Sequence, residues 1–137
     1  MPYQSEWTVH AGDTDYSGRI YTPVVIDYVI KTLSEFRATV GFSDERFEHG
    51  PVVPPARSID IEYLSAIRVG DVVTVTLTPT VGNTSVTHAF TGTVDGETVF
   101  DGSLTVVYID TETETPVSVP KELVPELRAI ATDSTED

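Results

Sequence analysis

The chain has no cysteine. That single absence excludes a disulfide framework, thiolate metal sites and cysteine nucleophiles. Lysine is nearly missing too. Lys31 and Lys121 are the only ones among 8 basic residues, which face 22 acidic residues for a net charge of −14. Such a chain cannot neutralise a row of phosphates, so nucleic acid is excluded as a partner. No apolar run approaches the roughly 18 residues that a membrane span needs. The opening Met1-Pro-Tyr-Gln-Ser-Glu-Trp7 lacks the basic-then-apolar order of a signal peptide. A soluble, cytoplasmic protein without a membrane partner is expected.

Familiar site signatures are missing as well. There is no Gly-x-Ser-x-Gly elbow for a serine nucleophile and no glycine-rich phosphate loop. His10, His49 and His88 fall on separate elements, and Asp13 and Asp15 have no third ligand at metal spacing. Neither a metal nor a resident cofactor is expected.

What remains is 137 residues, enough for one domain with its own core. The domain is expected to span residues 1–131, followed by a disordered acidic tail over 132–137. Tyr3, Ser5, Trp7 and Val9 alternate with polar residues and predict a first strand. A turn-rich stretch follows, from Ala11 to Gly18. From Thr22 to Val40 the period changes to that of a helix, with Thr22 as cap, Pro23 at the first helical position and Gly41 beyond the end. Only Asp27, Lys31, Ser34 and Glu35 form a wet stripe on it. The rest of its circumference is apolar and predicts burial on most sides. Many of its residues are β-branched and form helix poorly, so a surrounding sheet is expected to enforce it.

Residues 42–55 read as a loop. Three further strands follow around Ile59–Tyr63, Val73–Leu77 and Val86–Val94, with His88 on an apolar side as a satisfied core residue. Asp95-Gly96 predicts a tight hairpin. A last long strand runs from Glu97 to Asp110, with a bulge or kink at Gly102. A short helix is expected between Pro120 and Ala131. One strand, one apolar helix and four antiparallel strands fit an α+β domain in which a curled sheet covers a helix.

That order, with Asp13-Thr14-Asp15-Tyr16-Ser17-Gly18-Arg19-Ile20-Tyr21-Thr22-Pro23, resembles the hotdog superfamily, most closely its 4-hydroxybenzoyl-CoA-type thioesterases. In that group an Asp-x-Asp-x-x-Gly loop, a hydrophobic pair and a proline or small residue lead into the central helix. A second landmark is the strand from Arg57 to Tyr63, followed by Val69-Gly70-Asp71. The resemblance covers about residues 3–110 of the sequence. Arg19 departs from it, because many relatives carry His or a small aliphatic residue after the loop glycine.

The resemblance implies a hotdog fold, a curled five-stranded antiparallel sheet around one long central helix. It also implies a homodimer or homotetramer with active sites at the interface. The implied activity is hydrolysis of an acyl-CoA thioester to free acid and CoA. Asp15 matches the family's catalytic carboxylate, acting as nucleophile or as general base on water. Amides around Tyr21 and Thr22, at the helix N-terminus, are candidate oxyanion donors. Gly18, Pro23 and His49 complete the candidate substrate site, and Asp13 is read as structural. Coenzyme A is polyanionic, and Arg19, Arg57 and Arg68 are the candidates to hold it. The alternatives are a non-catalytic acyl-binding module and a hotdog hydratase or dehydratase. The latter places a histidine where Gly18 stands.

The acid excess, the scarcity of lysine and the abundance of threonine and valine together point to adaptation to high salt. Self-repulsion at this charge is screened in molar salt, where the Debye length is about 3 Å. The melting temperature is therefore expected to fall steadily as KCl is lowered from about 3 M to about 50 mM. An unchanged melting temperature would refute this reading.

Overall fold

The computed structural model describes residues 1–131. The expected tail, 132–137, lies outside the described residues. In chain order the elements are β1 (Tyr3–Thr8), α1 (Thr22–Thr39), α2 (Asp44–His49), β2 (Val52–Val53), β3 (Ala56–Tyr63), β4 (Val72–Val81), β5 (Ser85–Val94), β6 (Glu97–Val107), β7 (Ile109–Asp110) and α3 (Val124–Ala131). Five strands form one antiparallel sheet in the order β1-β4-β5-β6-β3, and β2 pairs with β7 beside it. This is the α+β, curled-sheet-and-helix architecture of the hotdog fold.

The sheet buries one side of α1. Val25, Tyr28, Val29, Leu33 and Phe36 are sealed against Val73, Val75, Leu77, Phe90, Phe100 and Leu104. Each such side chain contributes about 1.5–3 kcal/mol on burial. The weak helix propensity of a valine costs no more than about 0.7 kcal/mol. Burial therefore decides the conformation, which explains how so many β-branched residues are held in a helix. The seal is partial, however. Ile30 stays 42% exposed and Ile26 half-buried, so one chain does not bury the helix on most sides.

Turn chemistry sets the strand register. Asp95 (φ 51) and Gly96 (φ 82) are both left-handed, as a two-residue hairpin of the primed type requires, and they join β5 to β6. Gly102 is not a bulge. It pairs in register with both Phe90 and Ile61, and the irregularities fall instead at Gly92/Thr93 and Ala56/Ser58. Glycine stands there because a Cβ would collide with the carbonyl oxygen of Asp60 on the neighbouring β3.

Other expectations are corrected. The stretch 42–55 is not all loop. Ser43 caps α2, accepting from the Arg46 amide at 3.2 Å, and Phe47 alone anchors that helix in the core. Thr22 is the first residue of α1 rather than its cap, because Tyr21 takes the extended cap conformation.

His88 is buried as expected but is not satisfied, since neither ring nitrogen has a hydrogen-bond partner. Burial, with the Arg37 charge adding to it, pushes its pKa from the ordinary 6.5 down to about 3. The folded chain thus refuses a proton that the unfolded chain accepts. Stability from this residue is whole above pH 6.5 and drains as pH falls toward about 3. Unfolding free energy measured by urea titration at stepped pH should lose up to about 1.4 kcal/mol per pH unit in this window. His88→Leu should flatten that slope. An equal slope in the variant would show that His88 is not its source.

Candidate active site

Three pieces of chain meet at the N-terminus of α1: the loop 13–21, the helix start and the connection from β3 to β4. Asp13 anchors the loop. Its Oδ2 accepts from the His10 amide at 3.0 Å and from the Tyr28 hydroxyl at 3.0 Å. Burial and the neighbouring Asp13 carboxylate push the Tyr28 phenol up, so it remains a donor. Tyr28 in turn stacks on Trp7, whose indole donates to Thr32 at 2.9 Å. Asp13 is therefore bonded as a structural residue.

Beyond Asp13 the chain folds into a tight turn. Asp15 N–H donates to the Arg19 carbonyl at 2.9 Å and Gly18 N–H to the Asp15 carbonyl at 3.1 Å. Gly18 adopts φ +78, which side-chain-bearing residues rarely take. Ile20, buried, docks the turn by donating from its amide to the Ile67 carbonyl at 2.8 Å.

The Asp15 carboxylate is held by one oxygen. Its Oδ1 accepts from the Ser17 amide at 2.8 Å and from the Ser17 hydroxyl at 2.6 Å. Oδ2 has no partner among the described residues. The Ser17 hydroxyl, then the Ser17 amide, lower the carboxyl pKa below the usual carboxylate range. Asp15, Ser17, Arg19, Ile20 and Thr22 line one wall of a cleft of about 420 Å³, and Tyr63 to Ile67 line the other.

The donors at the helix start reduce to one. Tyr21 N–H is not available, because it donates to the Asp13 carbonyl at 2.7 Å. Pro23 has no N–H, and Val24 N–H bonds the Tyr21 carbonyl at 2.8 Å. Thr22 N–H remains without a partner among the described residues. Its own carbonyl accepts from the Tyr63 hydroxyl at 3.0 Å, which ties the sheet edge to the helix N-terminus. Tyr63 and Ser17 had no assigned role in the sequence, since a tyrosine in an alternating strand and a serine in a turn carry no signature of their own.

Of the arginines, Arg19 lines the cleft, and Arg68 is its partner across an isolated antiparallel bridge. Arg57 is not in the cleft. It lies at the opposite end of β3 from Tyr63, about 20 Å along the strand. His49 ends α2, beyond the C-terminus of α1, whose 18 residues make a rod about 27 Å long. One chain does not bring His49 to Asp15.

A family model described as the thioesterase-like superfamily matches residues 9–127. The chain belongs to that superfamily. It is accordingly a thioester hydrolase of the hotdog fold. Among solved structures, this thioesterase-like chain is similar to a 1,4-dihydroxy-2-naphthoyl-CoA thioesterase from Synechocystis, with a TM-score of 0.88 at 14% identity over 97% of this chain and 100% of that one. A Staphylococcus aureus protein in complex with CoA gives a TM-score of 0.88 at 17% identity, covering 96% of this chain and 84% of that one. A gentisyl-coenzyme A thioesterase gives 0.82 at 14% identity over 90% and 98%. At such identities the likeness is one of fold. No curated protein matches the chain.

The Ser17 hydroxyl is the largest cause of the depressed Asp15 carboxyl pKa. Ser17→Ala in the thioesterase-like chain is expected to move that pKa upward, followed by NMR titration of the side-chain carboxyl carbon. No movement would mean that the hydroxyl bond is absent in solution.

Proposed function

We propose that the chain hydrolyses acyl-CoA thioesters in the cleft beside Asp15, with the Asp15 carboxylate as nucleophile and the Thr22 amide as oxyanion donor. The observation that carries this reading is that Asp15, with one carboxylate oxygen unbonded, and Thr22, with an unpartnered helix N-terminal amide, line the same cleft. The amide is preorganised, and the helix dipole adds partial positive charge where the carbonyl oxygen becomes negative. Asp15 Oδ2 adds to the thioester carbon, the C–S bond breaks, and CoA leaves as the thiolate, which takes a proton from water. Water then adds to the Asp15 carboxyl carbon of the mixed anhydride, and the free acid leaves. A carboxyl held below the usual pKa range is fully ionised at neutral pH, as attack on the thioester carbon requires.

Arg19 and Arg68 support the coenzyme assignment. Residues paired across a bridge carry their Cβ atoms about 5 Å apart on one face. Two cations set side by side repel each other, and a diphosphate would relieve that repulsion.

The reading extends to a dimer. β3 is an open edge, and Ile59 (39% exposed) and Tyr63 (40%) leave apolar surface on it, beside the exposed Ile30 of α1. Antiparallel pairing of β3 with its copy would bury this edge. In such a pairing Ala56 lies opposite Tyr63, so the partner subunit's Arg57 reaches the end of the strand where the cleft opens. Arg57 thereby regains the coenzyme-binding role that it lacks within one chain.

Asp15→Asn should lower kcat by roughly 10³-fold with little change in coenzyme affinity, measured as thiol release from a panel of acyl-CoAs in high salt. Single turnover in heavy-oxygen water should leave label in the Asp15 carboxylate, whereas the general-base route leaves none. Tight binding without turnover in the wild type would favour a non-catalytic acyl-binding module. Arg68→Ala should raise KM and spare kcat, and an unchanged KM would remove Arg68 from the coenzyme site.

A further inference from the structure

At the far end of α1 from Asp15, Arg37 turns inward and is only 7% exposed. It forms no ion pair with any described residue. Its Nε and Nη2 are sealed from solvent without a hydrogen-bond partner. Around it stand His88, fully buried with both nitrogens unpaired, and Tyr108, whose hydroxyl feels the guanidinium charge without hydrogen-bond geometry. The Phe47 ring lies 5.5 Å from the guanidinium carbon. Among the described residues, the only carboxylate whose charge reaches Arg37 is Asp44, at the rim.

An unpaired guanidinium in an apolar interior is costly, because the charge has left water without gaining a counter-ion. His88 does not supply one, since it is neutral near pH 7. Nor does the Tyr108 phenol, which burial keeps protonated. The residue does have an outlet. Arg37 lines a cleft of about 400 Å³ whose other walls are Ile30, Ser34, Asp44, Phe47, Val53, Pro54 and Pro55. With Nε and Nη2 sealed, Nη1 is the nitrogen left to face it.

We propose that this cleft binds an organic carboxylate, whose anionic head pairs with Arg37 at the floor and whose apolar body lies between Ile30, Phe47, Val53 and the two prolines. The wall chemistry sets the ligand class. A lone buried cation asks for one negative group, and the mainly apolar lining asks for a hydrocarbon attached to it. A bare inorganic anion would satisfy only the first demand. The negative charge of the whole chain opposes any anion, but that long-range field is screened in salt, while the contact inside the cleft is not. Within one chain the site is separate from the thioesterase cleft, since position 37 lies about 22 Å along the helix from Thr22. It does not depend on the assignment of Asp15.

The test uses the full chain at constant ionic strength, exchanging potassium hexanoate, acetate and chloride for one another. Hexanoate is expected to bind the wild type and Asp15→Asn alike by calorimetry and to raise the melting temperature of both. Acetate and chloride should bind more weakly than hexanoate. Arg37→Met and Ser34→Glu should each weaken hexanoate binding by about tenfold or more. Arg37→Met replaces an uncompensated charge by an apolar chain of similar length, so it is expected to fold with no loss of stability in the absence of hexanoate. Should it fail to fold, Ser34→Glu decides alone, because it narrows and charges the cleft wall while leaving the buried cluster unchanged. The proposal is overturned if either folded variant binds hexanoate like the wild type. It is equally overturned if chloride binds as well as hexanoate, if no hexanoate binding is found, or if Asp15→Asn abolishes that binding.

Discussion

Packing of one face of α1 against the sheet is the constraint on which the other features rest. The helix is built from residues that prefer strands, so it exists only while Val25, Val29, Leu33 and Phe36 remain sealed against β4, β5 and β6. Fixing the helix also fixes both of its ends. At one end the first amide faces a carboxylate loop, and at the other an arginine is carried inward. A site that needs a helix terminus in a set place is thus secured by hydrophobic contacts many ångströms away from the chemistry.

The loop that carries Asp15 is held by polar contacts instead. Asp13 bonds the chain on both sides of itself, through the His10 amide and the Tyr28 hydroxyl, and its carbonyl takes the Tyr21 amide. These bonds leave Asp15 projecting from a turn whose geometry Gly18 permits. The two aspartates differ in what they touch. One is bonded to a backbone amide and a buried tyrosine, and the other keeps one oxygen unbonded.

Much of the fold could be read from residues whose requirements are strict. Asp95-Gly96 demands a hairpin, strict alternation in Val73–Leu77 demands a half-buried strand, and the change of period after Thr22 demands a helix. That Asp15 and Arg19 share one loop before the helix was legible through the motif around them. What was missed has physical reasons. The helix α2 has six residues and one buried side chain, too short for a periodic signal. Gly102 looks like a kink to a reader who cannot see the strand beside it. Arg37 reads as an ordinary surface arginine, because the residues it turns in toward, Phe47, His88 and Tyr108, are distant in sequence. His49 and Arg57 were assigned from their places beside a loop glycine and near a strand end, and the folded chain carries both away from Asp15.

Gly102 has one more bearing on the molecule. The hydrogen that it carries in place of a methyl group lets β3 sit close to β6, and β3 ends in Tyr63, whose hydroxyl grips the first turn of α1. The width of a single hydrogen atom in the sheet therefore sets how firmly the outermost strand clasps the opening of the helix. Backbone spacing deep in the sheet is mechanically linked to the mouth of the cleft, through a strand that touches both.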